Sequence, residues 1–278
     1  MKTLSKVAGV LAILAGALVS AGNSFAQVAL EPTIDGNTAT AAIDVGGVSA
    51  TLTIRFENVV GLSAANLGLS AFTVDPLSPA IVARLASAAS VPAAFPLVVR
   101  IEPPASGGLS FSGIVSVELD THELQYTVGS PLRLYSSPLG GTFTDITTSL
   151  NSGSVRSGGT KPDFSEFMIV ADVRPLATTI EAKYNQLSAL LTQHKGTLSP
   201  ALHAELANLF AASRTAWQSG AVVAAIEYIE AFSAKVKTNS GSALPDVWRS
   251  TRDLANVAGG LRAAAATLRF SLTLASNA

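Results

Sequence analysis

The chain has 278 residues, of which 48% are hydrophobic and 13% charged, with a formal net charge of −1 and no cysteine. This mild charge, without a cluster of basic residues, argues against a nucleic-acid partner and against an anionic membrane surface. The absence of cysteine excludes disulfides, thiolate nucleophiles and cysteine-ligated zinc. A chain of this length can form one or two domains with adequate cores.

The N-terminus has the pattern of a secretory signal peptide. Lys2 and Lys6 precede an apolar run over 7–22, and Ser24 and Ala26 supply small side chains ahead of a cleavage site. An uncleaved anchor is the alternative, but the run is short for a span that needs about 20 apolar residues. We therefore expect export to the periplasm or the extracellular space. Cleavage after Ala26 leaves 252 residues, in which 16 basic side chains face 19 acidic ones.

Residues 27–174 have the short strands and turns of a β domain. Ser78-Pro79 predicts a short helix, with serine as the cap and proline in the first turn. The segment 151–161, rich in Ser and Gly, predicts an exposed hairpin loop in which Gly158 and Gly159 are turn residues. The regular strand spacing favours an antiparallel β-sandwich over a barrel. The predicted strands cover 38–44, 49–56, 66–74, 95–102, 110–119 and 126–135, with a final strand in 164–175.

The final strand marks the boundary between two domains. Its apolar run over 167–171 is typical of a strand covered on both faces, and Pro175 ends it. Glu166 and Asp172 flank this strand on one face. They lie about 20 Å apart at the rise of a strand, too far to act together as catalytic carboxylates.

Residues 175–278 predict four helices in an antiparallel bundle, because the hydrophobic period changes to about 3.6. Ser199-Pro200 is a second cap-and-proline start. The fourth helix is predicted to begin at Val247 and to contain Gly259-Gly260, either a close-packing point or a break, with close packing favoured. The predicted fold class is thus α+β.

Some stretches resemble known families. Phe95–Ile101, Leu132–Tyr135, Thr144–Thr147 and Phe164–Phe167 resemble the strands of ZU5-like β-sandwiches, which implies protein contact rather than catalysis. The Leu-rich stripes around Gly196 and Gly220, followed by Ala231-Phe232, resemble FIVAR or FIMAH helical modules, which implies extracellular binding or spacing. The whole chain is similar to an uncharacterised family of secreted bacterial proteins known as a domain of unknown function.

The sequence offers little for a metal or a cofactor. His122, His194 and His203 form no His-x-x-x-His pair, and a structural zinc site needs four such ligands. Glu118, Asp120 and Glu123 could offer oxygens to calcium, but a solvated turn is the favoured interpretation. No phosphate-binding loop or dinucleotide fingerprint is present, so no cofactor is predicted.

Catalysis by a serine nucleophile lacks a local motif. The chain has no Gly-x-Ser-x-Gly elbow, although a serine near His122 with an acid could form a triad through the fold. Asp145, Asp163 and Glu166 are acids that could converge only in the tertiary structure.

Trp248 and Arg249 are the residues proposed for an interaction patch. Both follow Leu244-Pro245, at the predicted start of the fourth helix. Trp248 can either pack as part of a helix cap, which is favoured, or project with Arg249 towards a partner.

By elimination, the sequence predicts a secreted or periplasmic protein that is not an enzyme. It is expected to bind an envelope or extracellular protein or glycan. A hydrolase with dispersed Ser, His and acidic residues in the β domain is one alternative, and a passive structural spacer is the other.

Overall fold

A computed structural model describes residues 27–127, 129–151 and 155–277. The predicted signal peptide, 1–26, lies outside these ranges. Within them the chain contains fourteen strands and six α-helices, so the predicted α+β class is confirmed.

The strands are β1 (Val28–Ala29), β2 (Thr33–Asp35), β3 (Thr38–Val45), β4 (Val48–Val60), β5 (Leu69–Thr73), β6 (Ala89–Ser90), β7 (Leu97–Ile101), β8 (Ser110–Thr121), β9 (Leu132–Ser137), β10 (Thr144–Asp145), β11 (Thr147–Asn151), β12 (Val155–Lys161), β13 (Glu166–Asp172) and β14 (Val247–Arg249). The helices are α1 (Ala64–Leu67), α2 (Pro79–Val82), α3 (Leu176–Gln193), α4 (Pro200–Gln218), α5 (Val222–Asn239) and α6 (Val257–Ser276).

The strands form two antiparallel sheets that pack face to face. Sheet A has the order β1-β5-β7-β13-β9-β10, with β6 also pairing with β13. Sheet B has the order β11-β12-β8-β4-β3-β2, with β14 also pairing with β8. Alternate residues of β8, including Val115, Val117 and Leu119, point inward and share one core with Val99 and Phe167 of sheet A.

Strand β13 is covered on both faces, as its unbroken apolar run predicts. Phe167 and Ile169 belong to the core between the sheets. Met168 and Val170 face the other way, into a second cluster that includes Phe143. All four side chains are fully buried. Because β13 lies between β7 and β9, it is a central strand of sheet A.

The prediction of an exposed loop over 151–161 is wrong, because β12 is an internal strand of sheet B between β11 and β8. Its small residues have a packing reason. A Cβ atom on Gly159 would lie 2.6 Å from the carbonyl oxygen of Ile146, and one on Gly158 would lie 2.5 Å from Ser149 Oγ. Glycine in a strand here marks close approach by neighbouring atoms rather than a turn.

Two other strand predictions need correction. The predicted strand over 66–74 is divided by Gly68, whose φ of 58° caps α1 before β5 begins. A Cβ atom on Gly68 would lie 2.1 Å from the carbonyl oxygen of Glu102, so close packing also requires glycine. The strand predicted over 126–135 begins only at Leu132, in β9.

The C-terminal helical region is present as α3–α6. Helix α5 packs against both α4 and α6, and α3 packs against α6. Ser199 caps α4 as predicted, since its hydroxyl accepts a hydrogen bond from the Leu202 backbone N–H. None of the helices in the described ranges combines the length and apolar character needed to cross a bilayer.

The predicted start of the fourth helix at Val247 is wrong. Residues 247–249 form β14, which pairs with Ser110–Ser112 of β8, and α6 begins only at Val257. Aromatic packing provides a reason, since Trp248 stacks on Phe111 with ring centroids 5.3 Å apart and meets Phe164 edge-on at 5.2 Å. The C-terminal region, which is otherwise helical, therefore contributes one strand, β14, to sheet B.

Helix α6 approaches sheet B closely through Gly259. A Cβ atom at this position would lie 2.5 Å from the carbonyl oxygen of Gly113. The Asn256 side chain caps the helix by accepting from the Gly259 N–H, and its amide donates to the same Gly113 oxygen at 2.6 Å. The close-packing interpretation of Gly259-Gly260 is thus confirmed for the first glycine.

A charged pair fixes the same helix to β4. Arg262 is buried and donates two hydrogen bonds to the Glu57 carboxylate, at 2.7 and 2.6 Å. Glu57 lies at an irregularity in the β4–β8 pairing, between Phe56 and Asn58. The Arg262 hydrogen bond, together with its charge, outweighs burial and holds the pKa of Glu57 below its ordinary value.

A second, fully buried ion pair joins sheet A to two helices. Lys183 Nζ of α3 lies 2.7 Å from Asp145 Oδ2 of β10, and both side chains are less than 5% exposed. The same ammonium donates to the Thr267 carbonyl and the Ser271 hydroxyl of α6. Asp145 Oδ1 accepts two further hydrogen bonds from Thr147. Burial lowers the pKa of Lys183, and the negative charge of Asp145 opposes this effect.

The contact at Gly259 can be tested by adding a single methyl group. Gly259→Ala should lower the free energy of unfolding by about 1–3 kcal/mol, because backbone atoms of β8 must move. Gly260→Ala is the matched control, since its Cβ would find only Pro162 Cγ at 3.9 Å. Alanine there should be neutral or stabilising by up to about 1 kcal/mol. Urea denaturation measures both, and equal effects of the two variants would contradict the packing argument.

Removing one partner of the Lys183–Asp145 pair should be costly. Lys183→Met keeps the apolar stem but leaves a buried carboxylate without its cation, so we expect a loss of about 3–5 kcal/mol. Adding Asp145→Asn should recover part of that loss, because no uncompensated charge then remains. Chemical denaturation of the single and double variants gives the comparison. A double variant less stable than Lys183→Met would count against an electrostatic cause.

Candidate functional site

A cavity of about 570 Å³ lies where sheet A meets helices α3 and α6, and we call it the junction cavity. It combines charged and apolar side chains from both parts of the chain. Its lining residues are Tyr126, Gly129, Ser130, Pro131, Arg133, Leu150, Asp172, Val173, Arg174, Leu176, Thr179, Phe270, Leu274 and Asn277. Its volume lies within the range of small-molecule binding sites.

Three side chains form a closed charged cluster at one wall. Arg174 binds both carboxylate oxygens of Asp172, through Nε at 2.8 Å and Nη2 at 2.6 Å. The Tyr135 hydroxyl donates to Asp172 Oδ2 at 2.7 Å and accepts from Arg174 at 2.9 Å. The sequence places these groups together, because Asp172 ends β13 and Arg174 follows just before α3.

The cluster holds its groups in fixed protonation states. Burial acts to raise the pKa of Asp172, but hydrogen bonds from Arg174 and Tyr135 outweigh it and keep that pKa below its ordinary value. Burial and the hydrogen bond to Asp172 raise the pKa of Tyr135. The hydrogen bond to Asp172 also raises the pKa of Arg174. Near neutral pH the cluster is therefore an ionised pair beside a protonated phenol, and neither acid is poised to transfer a proton.

Arg133 supplies a different kind of positive charge. Its Nη1 donates to the backbone carbonyls of Ser130 and Leu132, each at 2.7 Å. Its guanidinium carbon lies 5.8 Å from the centroid of the Phe270 ring, a cation–π distance. Within the described ranges, no carboxylate lies within ion-pair distance of Arg133. These contacts orient the guanidinium without neutralising it.

The opposite wall is apolar. Phe270 and Leu274 come from the last two turns of α6, Leu176 from the first turn of α3, and Leu150 from β11. Val173 lies beside the charged cluster and is 67% exposed. The junction cavity thus presents an oriented cation opposite a surface that favours hydrocarbon.

The two residues proposed as an interaction patch have different environments. Trp248 is only 6% exposed and belongs to the core between the sheets. Its packing role was the favoured interpretation, although its partners are Phe111 of β8 and Phe164, which precedes β13, and not a helix cap. Arg249 is exposed and lies 3.6 Å from Asp253. Trp248 also reaches one side of a separate groove of about 430 Å³ that His194 and Leu254 help to line.

Within the described ranges, no hydrogen bond joins His122 to a serine or to an acid, the combination considered for a hydrolase. That residue is exposed in the turn after β8. The three acids that could converge only in the tertiary structure each have their own cation: Asp145 pairs with Lys183, Asp163 with Lys161, and Glu166 with both Arg84 and Arg100.

The residues considered for calcium also have other contacts. Asp120 forms an ion pair with Arg156 at 2.8 Å, and Glu123 accepts a hydrogen bond from Ser49. In the part of the chain that the structure covers, no group of three or more acidic or histidine side chains is arranged to hold a metal ion.

Comparison with known proteins adds a family. A family model described as a family of unknown function, DUF6689, matches residues 14–276. The chain belongs to the DUF6689 family. No curated protein and no solved structure gives a significant match. This DUF6689 chain therefore has to be interpreted from its own geometry.

In the sequence, Asp172 stands out only as one of two acids that flank the final strand, and Arg133 does not stand out at all. Only the nearness of Asp172 and Arg174 in the sequence hinted at a charged cluster. Arg133 lies in the strand segment Leu132–Tyr135, where one polar residue between apolar ones is the ordinary pattern of a half-buried strand. Its role depends on Phe270, which is 137 positions later in the chain.

The pKa of Asp172 makes a prediction about acid stability. A carboxylate with a lowered folded pKa stabilises the fold above its unfolded pKa, and this contribution is lost as the pH falls through the folded value. Asp172→Asn should therefore lower the free energy of unfolding by about 2 kcal/mol at pH 7. The difference from wild type should shrink below about pH 4.

Denaturant titrations at several pH values measure this difference directly. Asp44→Asn, an exposed position on β3, is the matched control and should match wild type at every pH. A difference between Asp172→Asn and wild type that stays constant from pH 7 to pH 3 would rule out the charged cluster as its cause.

Proposed function

We propose that this DUF6689 protein is exported through a cleaved signal peptide and acts, without catalysis, by binding an envelope or extracellular component in the junction cavity. In this proposal α3–α6 form an antiparallel four-helix bundle that closes the cavity against sheet A. The observation that carries the proposal is the cavity itself, where an oriented Arg133 faces an apolar wall.

The chemistry of the lining favours binding over catalysis. Asp172 is ionised and engaged by Arg174, and the Tyr135 hydroxyl is held protonated. A general base needs a pKa near the working pH, and these groups are moved away from that range. Pre-organised charges of this kind suit recognition, because little ordering remains to be done when a ligand arrives.

Two sequence observations support the same role. The signal-peptide pattern over 1–26 would bring the chain to the periplasm or outside the cell. The resemblance of its two parts to ZU5-like and to FIVAR or FIMAH modules favours contact with another molecule. A passive spacer would not need a cavity that contains an uncompensated cation.

The proposal can be tested with envelope material. Purified protein, immobilised and exposed to periplasmic and outer-envelope extracts, should retain a component through the junction cavity. Leu274→Glu should abolish the retention, because the new carboxylate neutralises Arg133 and makes the apolar wall polar. Mass spectrometry of the eluates identifies proteins, lipids and glycans.

Leu77→Glu is the matched control, since Leu77 is 83% exposed and lies outside the junction cavity. It should retain the same component as wild type. Recovery of nothing by wild type, or equal recovery by both variants, would refute binding in the cavity. Purified exported protein should also begin at Gln27, and an intact leader would refute cleavage.

A further inference from the structure

We propose that the ligand of the junction cavity is a small amphiphilic monocarboxylate, with its carboxylate on Arg133 and its hydrocarbon part against α6. This inference rests on the proposed binding function and goes further by naming the chemical class of the ligand. It depends on three properties of the cavity: a guanidinium with N–H donors that have no acceptor, a net positive charge of one, and an apolar wall beside the cation.

The first property is the geometry of Arg133. A guanidinium has five N–H donors, and two of them, both on Nη1, donate to the Ser130 and Leu132 carbonyls. Within the described ranges, Nε and Nη2 have no hydrogen-bond acceptor, and the side chain is partly exposed along the cavity. The Nε and Nη2 edge of a guanidinium matches the two oxygens of a carboxylate. The backbone carbonyls and the Phe270 ring hold this edge in place.

The second property is the balance of charge. Arg174 is neutralised by Asp172, and Lys183, one helical turn beyond Thr179, is neutralised by Asp145. Of the charged residues that line the cavity in the described ranges, Arg133 is the cation without a carboxylate partner. One net positive charge matches one carboxylate. A dianion such as a phosphate monoester would leave a second negative charge close to the ionised Asp172.

The third property is the apolar wall. Phe270 lies beside the guanidinium, and Leu274 and Leu176 line the same cavity, so together they offer a surface for an alkyl chain or an aromatic ring. A neutral glycan would leave Arg133 without a counter-charge and would place hydroxyl groups against hydrocarbon. A short carboxylate such as acetate would use the cation but not the wall. A volume of about 570 Å³ has space for both parts of an amphiphile.

Calorimetric titration with defined probes tests the assignment. Decanoate should bind to wild-type protein. Acetate has the carboxylate without the alkyl chain, and decyltrimethylammonium has the alkyl chain with the opposite charge, so each should bind at least about tenfold more weakly. A parallel titration with 4-phenylbutyrate distinguishes an aromatic body from an alkyl one. Tighter binding of decanoate would indicate a natural ligand with an alkyl body, and tighter binding of 4-phenylbutyrate one with an aromatic body.

Two pairs of measurements separate the carboxylate contact from general effects. Arg133→Gln should weaken decanoate binding about 10- to 100-fold, as expected for lost hydrogen bonds to a charged group. Arg156→Gln is the same substitution at an exposed arginine of β12 and should leave the affinity unchanged. Leu274→Ala should weaken decanoate but not acetate, by about tenfold, because it removes wall area only.

The inference is overturned if wild-type protein binds neither carboxylate, if decyltrimethylammonium binds as tightly as decanoate, or if Arg133→Gln behaves as Arg156→Gln does. The first two results use wild-type protein, so they decide the question even if a variant fails to fold. One combination of results would reject only the ligand class: wild-type protein binds no carboxylate, but Leu274→Glu still loses the envelope component that wild type retains. The cavity would then remain a binding site for another ligand.

Discussion

The close approach of α6 to the β-sheets is the constraint on which the rest of this structure depends. The helix is buried on most of its surface, against α3 and α5 on one side and β8, β11 and β12 on the other. Only glycine fits at position 259, where the β8 backbone is in contact. The Arg262–Glu57 ion pair and the hydrogen bonds from Lys183 to α6 fix the orientation of the helix. Buried charges of this kind define one arrangement, since any other would leave a charge unpaired.

The candidate site is a consequence of this packing. Because the last turns of α6 line the cavity with Phe270 and Leu274, hydrocarbon comes to lie beside Arg133 of β9. The ion pair of Asp172 and Arg174 forms one wall of the cavity. The acids Asp145, Asp163 and Glu166, which the sequence offers as possible catalytic groups, each form an ion pair. Arg133, which the sequence does not distinguish, lines the cavity with its Nε and Nη2 donors unused within the described ranges.

Several elements could be predicted because their signals are local. Examples are the apolar run of β13, the alternation of buried and exposed residues in β4, and the serine cap of α4. Each depends on residues that are close in the sequence. The errors occur where distant residues decide the local structure. Glycines in β12 are needed beside Ile146 and Ser149, and Trp248 is drawn into a strand by Phe111 and Phe164. Propensity cannot anticipate such contacts, since tertiary packing outweighs differences of about 1 kcal/mol.

The sequence by itself therefore determined the α+β class, the change from strands to helices near Pro175, the pattern of an exported chain and the absence of cysteine chemistry. These depend on period, composition and short motifs, which the chain displays without folding. Only the tertiary structure decided that β14 and α6 join the two regions and that Arg133 meets Phe270 across a cavity. The reason is physical: a binding site depends on which charges remain uncompensated after packing, and pairing between residues far apart in the chain sets that balance.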